Sequence, residues 1–193
     1  MKKLLITGFE PFGGESINPS WEAVSLLPGE IKDYALTKLR IPVVFGEAAA
    51  QVIAAAEALQ PDAVLCIGQA GGRAAVTPEL VGINLRHGKI PDNAGNQPKD
   101  EPIVKGGETA YFSTLPVRAM AEAILARGIP SQVSYSAGAY VCNDVLYSLL
   151  AHYKDTDTRV AFIHIPYSAE QNKEPSMELT RIAEALTAAI EAI

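Results

Sequence analysis

Three apolar runs constrain the architecture of this chain more than any other feature. Residues 3–7, 62–68 and 159–165 are short stretches rich in Val, Ile, Leu and Ala, and segments of helical pattern lie between them. Strands that are apolar on both faces must be covered on both faces, which marks a sheet built from strand–helix–strand units. The intervening segments fit. Asn18 can cap a helix that has Pro19 at its first position, where a missing N–H costs nothing. The pattern predicts a strand over 34–44 and an Ala-rich helix over 45–59, stopped by Gln60 and Pro61. It predicts further strands over 79–85 and 131–136. Helices are expected over 116–127, 143–153 and 176–193, the last capped by Ser176. The expected fold class is α/β, one domain over 1–193 with a mostly parallel sheet covered on both faces. In such sheets, sites collect at the carboxyl ends of the strands. The stretch 86–109 is long and irregular, rich in Gly, Pro, Asn and Asp, and loops of that length are usually functional or disordered.

Composition narrows the function. The net charge of -6 argues against a nucleic-acid or membrane-surface binder. With 2 Cys and 3 His, a disulfide framework is ruled out and a Cys/His zinc cage is disfavoured. The apolar start at Met1 is broken at once by Gly8 to Pro11, so it reads as a first strand rather than a signal peptide. No apolar run approaches the roughly 20 residues that span a bilayer. A cytoplasmic, reducing setting is expected.

The short inventory makes the candidates few. Cys142 follows a predicted strand and stands at a predicted helix start. Free amides and a partial positive charge there would favour the thiolate and could hold an oxyanion. A structural cysteine packed under the helix is an equally good reading. Cys66, inside the apolar run 63–67, reads as an inert core residue. His164 ends an apolar strand, where a ring must be hydrogen-bonded to be tolerated. It suits a base, although a core histidine satisfied by a carbonyl is the simpler reading of that residue alone. His152 lies late in a helix and His87 in the long loop, and neither position argues for catalysis. Glu79 follows a Gly-rich stretch at the start of a strand and could orient a histidine; alone it also fits a surface acid beside a turn. The stretch Gly68-Gln69-Ala70-Gly71-Gly72-Arg73 lacks the spacing of a phosphate loop. Together Cys142, His164 and Glu79 have the composition of a thiol-peptidase triad, which spacing alone cannot prove.

Ordered blocks along the chain add a resemblance. They are Ile6-Thr7-Gly8-Phe9-Glu10-Pro11-Phe12-Gly13-Gly14, the Gly68–Arg73 stretch with Thr77-Pro78-Glu79, Ile90-Pro91-Asp92-Asn93, Val141-Cys142-Asn143 and His164-Ile165-Pro166. With these, the chain closely resembles the pyroglutamyl peptidase I (pyrrolidone-carboxylate peptidase) family over essentially its whole length. The resemblance implies a cysteine peptidase that removes N-terminal pyroglutamate, with Cys142 as nucleophile, His164 as base and Glu79 as orienting acid. It implies a three-layer α/β/α sandwich of the phosphorylase/hydrolase-like type, assembly as a tetramer, and no metal or organic cofactor. Phe9 and Phe12, read as loop residues after the first strand, would stack on the lactam ring. Gln69 can both donate to and accept from the lactam amide. The backbone beside Ile90 and Val141 would complete the pocket. Leu80 stands where the family usually has Arg or Lys, and Lys89, a further expected substrate-binding residue, where it usually has Arg. Two rival readings are a nucleoside phosphorylase and a non-catalytic binder of pyroglutamyl peptides.

Overall fold

The computed structural model describes residues 1–193. In chain order the elements are β1 (Lys2–Phe9), α1 (Pro19–Leu26), β2 (Glu30–Ile31), β3 (Tyr34–Ile41), α2 (Glu47–Leu59), β4 (Ala63–Gln69), β5 (Thr77–Glu79) and β6 (Val81–Ile83). They continue with β7 (Ala110–Phe112), α3 (Val117–Ala126), α4 (Val141–His152), β8 (Arg159–Ile165), β9 (Tyr167–Ser168), β10 (Ser176–Met177) and α5 (Leu179–Glu191).

Six strands form one sheet in the order β2-β3-β1-β4-β8-β5. The inner strands β3, β1, β4 and β8 are parallel, and the two edges, β2 and β5, run antiparallel to their neighbours. Strand side chains alternate between faces, and the core divides accordingly. Leu4, Ile6, Leu65, Ile67, Ala161 and Ile163 pack under α1, α3 and α5. Leu5, Val64, Cys66, Val160 and Phe162 pack under α2 and α4. This is the three-layer α/β/α sandwich that the alternation and the resemblance led us to expect. No helix is long and apolar enough to cross a membrane.

Several boundaries differ from the sequence reading, each for a local reason. Gly8 does not end β1, because pairing with β3 continues to Phe9↔Ile41. The expected strand over 79–85 is split at Leu80, whose amide donates to the Ser134 carbonyl and whose carbonyl accepts from Ser113. Thr77–Glu79 therefore joins the main sheet, and Val81–Ile83 turns away to pair with β7. Residues 131–136 make only isolated bridges at Ser131 and Ser134. Pro78 lies between the bridge partners Val76 and Glu79 and has no N–H to offer a continuous ladder. At the C-terminal end, Ser176 and Met177 pair with Tyr167 and Ser168, so the last helix starts at Leu179 with Glu178 as its cap residue.

The long stretch 86–109 is pinned rather than loose. Asp92 accepts from the amides of Phe45, Ala94 and Asn96 and from the Asn96 side chain. Asn93 donates to Glu10 and to the Pro11 carbonyl. Both residues tie the loop to the segments that follow β1 and β3, at the carboxyl end of the sheet.

Candidate active site

His164 is the sixth residue of β8 and is 4 % exposed. The antiparallel neighbour β5 places Thr77 opposite His164 and Glu79 opposite Phe162. Glu79 thus sits diagonally across from the histidine on the same face, where long side chains meet. Nδ1 of His164 lies 2.6 Å from Oε1 of Glu79, and the carboxylate is fully buried. An ionised carboxylate can only accept, so Nδ1 carries the proton and Nε2 keeps its lone pair free.

Cys142 approaches from the other side. It is the second residue of α4, whose N-cap is Tyr140. The first amides of a helix have no intrahelical acceptor, so the thiol stands among free N–H donors. Beneath it lies Gly68 of β4, the register partner of His164. A β-carbon at residue 68 would come within 2.9 Å of the Cys142 Sγ and 2.7 Å of the Phe162 ring. Glycine is what lets the thiol descend onto the sheet beside the histidine strand. The helix start is clamped by its own next residues. Asn143 exchanges hydrogen bonds with the backbone of Ile83 and donates to the Leu85 carbonyl. Asp144, fully buried, accepts from Arg86 at 2.5 Å and from the Gly46 amide at 2.7 Å.

The charge states follow from these surroundings. Burial pushes the Cys142 thiol up to about 12; the Glu79 charge adds to this and Arg73 opposes it. Burial likewise lowers His164, with the Glu79 hydrogen bond and charge working the other way and Arg73 adding to the lowering. Burial alone would raise Glu79, but the His164 hydrogen bond and charge, with the Ser134 and Arg73 side chains, outweigh it and hold the carboxyl below its ordinary value. These directions favour a neutral thiol, a neutral imidazole and a carboxylate at rest. Burial first, and the facing Glu79 anion second, outweigh the helix start that the sequence offered in favour of a thiolate.

A cavity of about 230 Å³ opens beside Cys142. Phe9, Phe12, Val43, Tyr140 and Val141 make its apolar walls, and Gln69, Asn18 and Glu15 bring polar groups. Phe12 and Phe45 both lean on Tyr140, with ring centroids 5.5 and 5.0 Å away. Phe12 is a loop residue, as read from the sequence. Phe9 instead ends β1, is 2 % exposed and packs near Phe162 at 6.4 Å. Of the other expected pocket residues, Gln69 and Val141 line the cavity, whereas Lys89 and Ile90 lie in the long loop outside its lining. Ile90 is 51 % exposed, and the Lys89 carbonyl accepts from Gln97. Cys66 is buried in the core with its thiol also pushed up to about 12 by burial. His152 ends α4 within 3.4 Å of Glu57, and His87 contacts Asp100 at 2.9 Å. Neither reaches the cavity. No group of three or more His, Cys, Asp or Glu side chains is arranged to hold a metal ion.

Sequence reasoning passed over two residues. Tyr140 lies between Gly138 and Cys142, and its only signal was an aromatic directly before a helix start. Arg73 donates to Glu79 at 2.7 Å. Its one signal in the sequence is its place at the end of the Gly68–Arg73 stretch.

The family model described as pyroglutamyl peptidase matches residues 2–193. The chain belongs to the pyroglutamyl peptidase family. A pyrrolidone-carboxylate peptidase of Levilactobacillus brevis is 52% identical, covering 99% of this chain and 97% of that protein. The crystal structure of pyroglutamyl peptidase I from Bacillus amyloliquefaciens superposes with a TM-score of 0.96 at 45% identity, covering 100% of this chain and 96% of that one. A mutant pyrrolidone carboxyl peptidase of the hyperthermophile Pyrococcus furiosus gives 0.93 at 42% identity, covering 98% and 97%. Membership of the pyroglutamyl peptidase family is thus shared by sequence and backbone over the full length.

Proposed function

We propose that this chain is a cysteine peptidase that hydrolyses the amide bond after an N-terminal pyroglutamyl residue, with Cys142, His164 and Glu79 as its triad. The observation that carries the reading is the buried His164–Glu79 pair at the end of β8, next to a cysteine at the mouth of an apolar cavity. The cavity suits a neutral five-membered lactam. Its walls are aromatic and aliphatic, and Gln69 supplies an amide that can answer both the lactam N–H and its carbonyl. A free N-terminal ammonium would be penalised among those apolar walls.

The chemistry starts from the neutral pair. As the pyroglutamyl carbonyl comes over Sγ, Nε2 of His164 takes the thiol proton and Sγ attacks the carbonyl carbon. Glu79 stabilises the imidazolium that forms, through the Nδ1 hydrogen bond. The oxyanion develops against the free amides at the start of α4. His164 then gives its proton to the leaving amine, leaving a thioester on Cys142. Water, deprotonated by the same imidazole, attacks the thioester and releases pyroglutamate. No step calls on a cofactor. Work in the cytoplasm as a homotetramer belongs to the same proposal; two unpaired cysteines suit a reducing compartment.

A chromogenic pyroglutamyl amide tests the reading. Release of the chromophore without added phosphate, abolished by a thiol reagent, is the expected result. Turnover that needs phosphate would point to a phosphorylase, and binding of pyroglutamyl peptides without release would point to a non-catalytic binder; either would overturn it.

A further inference from the structure

We infer that Arg73 is a positioning residue of the relay: its guanidinium fixes Glu79 against His164 by sharing the one carboxylate oxygen on which the imidazole rests. The inference rests on the peptidase reading above and deepens it. Nη1 of Arg73 donates to Glu79 Oε1 at 2.7 Å and to Thr77 Oγ1 at 2.6 Å, and Nη2 donates to the Ser136 carbonyl at 3.1 Å. His164 Nδ1 meets the same Oε1 at 2.6 Å. The second oxygen, Oε2, is buried and has no partner. The carboxylate is therefore oriented by two donors converging on one atom. With Arg73 removed, His164 would be the one donor left on Oε1, with the Ser134 hydroxyl as the remaining neighbour that favours the carboxylate, and the group could turn to offer His164 either oxygen.

The chain around Arg73 is built to aim it. Gly72 has a φ of +87°, in the region that favours glycine. Gly71 lies so close to Tyr167 that a β-carbon there would come within 2.1 Å of its hydroxyl. These glycines fold the segment after β4 back along β5, and the Arg73 amide closes the turn on the Ala70 carbonyl. Residue 80 cannot take this part, because Leu80 packs into the opposite core with α1, α3 and α5. The anchoring uses the planar fork of arginine, which contacts two side chains and a carbonyl at once, a geometry lysine does not reproduce.

The charged groups that act on the imidazole are Glu79 from β5 and Arg73 from the β4–β5 segment; the Cys142 thiol from α4 is acted on by the same two and by Cys66 from β4. Arg73 acts on this set in two ways. Its charge disfavours protonation of His164, and its hydrogen bond favours ionisation of Glu79. Loss of the cation moves both groups toward their protonated forms, so both effects shift the acid limb of activity to higher pH.

The test compares the full-length wild type with Arg73→Met and Arg73→Lys. Two measurements are made: kcat and KM for a pyroglutamyl amide across the pH range, and an NMR titration of the His164 ring. For Arg73→Met the expected results are an acid limb about one pH unit higher, kcat on the plateau lower by about tenfold, and KM little changed. For Arg73→Lys the limb should stay near that of wild type while kcat falls, because the charge is kept and the fork is lost. A wild-type limb in Arg73→Met, with kcat/KM scaled down equally at every pH, would overturn the inference. So would wild-type kcat in Arg73→Lys, which decides the matter should Arg73→Met fail to fold. If the wild type itself shows no turnover, the peptidase reading fails. The NMR titration then judges Arg73 alone: a rise of about one unit in the His164 midpoint on removing the cation supports it, and an unmoved midpoint overturns it.

Discussion

The Sγ of Cys142 rests on the bare α-carbon of Gly68, so closely that a methyl group there would stand 2.9 Å from the sulfur. Because Gly68 is the register partner of His164 across β4 and β8, this one contact sets how near the thiol comes to the imidazole strand.

Gly68→Ala is the direct consequence to test. The new methyl must displace either the thiol or the Phe162 ring, 2.7 Å away. Overpacking of this kind costs about 1–3 kcal/mol, which a folded domain of this size can absorb. A displacement of about 1 Å at a reacting atom can cost about 100-fold in rate. We expect a folded protein with a modestly lower Tm and kcat/KM reduced by about two orders of magnitude. Calorimetry and a pyroglutamyl-amide assay on the same preparation check both halves.

Cys142→Ser should abolish chromophore release, while Cys66→Ser should largely spare it, since Cys66 is buried in the core under α2 and α4. The resting charge state gives a sharper expectation. A thiol pushed up to about 12 is almost wholly protonated at neutral pH. Its alkylation by iodoacetamide should therefore climb about tenfold per pH unit from pH 7 to pH 10, following the thiolate fraction. A rate plateau already established below pH 7 would mean a preformed thiolate–imidazolium pair instead.

What the sequence made legible follows a physical divide. The layers were readable because β1, β4 and β8 are apolar on both faces, a pattern with few solutions. The candidate trio was readable because two cysteines and three histidines leave few choices. Residues 131–136 and the split at Leu80 were not readable, since both depend on where Pro78 and Leu80 find partners across the chain. Arg73 was hidden for a similar reason. Its meaning lies in contacts with Thr77, Glu79 and Ser136, and only the last of these is distant in sequence. A glycine-rich stretch drew attention to phosphate and away from the side chain that ends it. The upward shift of the Cys142 thiol was not readable because a helix start is a local feature, whereas burial, the larger cause, and Glu79 from another strand depend on the folded chain.

Cys66 supplies an alkaline stability test that is independent of activity. Its thiol sits at about 12 in the folded protein against an ordinary value near 9. Between these values the unfolded chain loses the proton and the folded one keeps it, so the folded state binds more protons. Stability contributed by this group is complete below pH 9 and falls as pH rises, by about 1.4 kcal/mol per unit. Cys66→Val removes the titrating group at similar volume. Urea melts between pH 8 and 11 should show a shallower loss of stability for the variant than for wild type; parallel slopes would contradict the assignment.

Asp92 governs the far wall of the cavity without touching it. Its carboxylate accepts four hydrogen bonds, including one from the Phe45 amide at 2.9 Å. The preceding Pro91 carbonyl accepts from the Tyr140 hydroxyl at 3.0 Å. Burial would raise the Asp92 carboxyl, but the Phe45 amide and the Asn96 side chain and amide hold it below its ordinary value. Asp92→Ala leaves those amides without their acceptor, at about 1.5–3 kcal/mol for a hydrogen bond to a charged group. The loss frees Phe45 and Pro91, which with Phe12 support the Tyr140 ring that walls the cavity. The His164–Glu79 pair has no contact with this corner. The expected signature is therefore a split: KM for the pyroglutamyl amide rises several-fold while kcat, and the pH at which it declines, stay near wild type. Asp92→Asn keeps one carbonyl acceptor and should fall between the two. Steady-state kinetics of both variants decide it, and an equal fall of kcat with KM unchanged would show that the corner supports the chemistry rather than the wall.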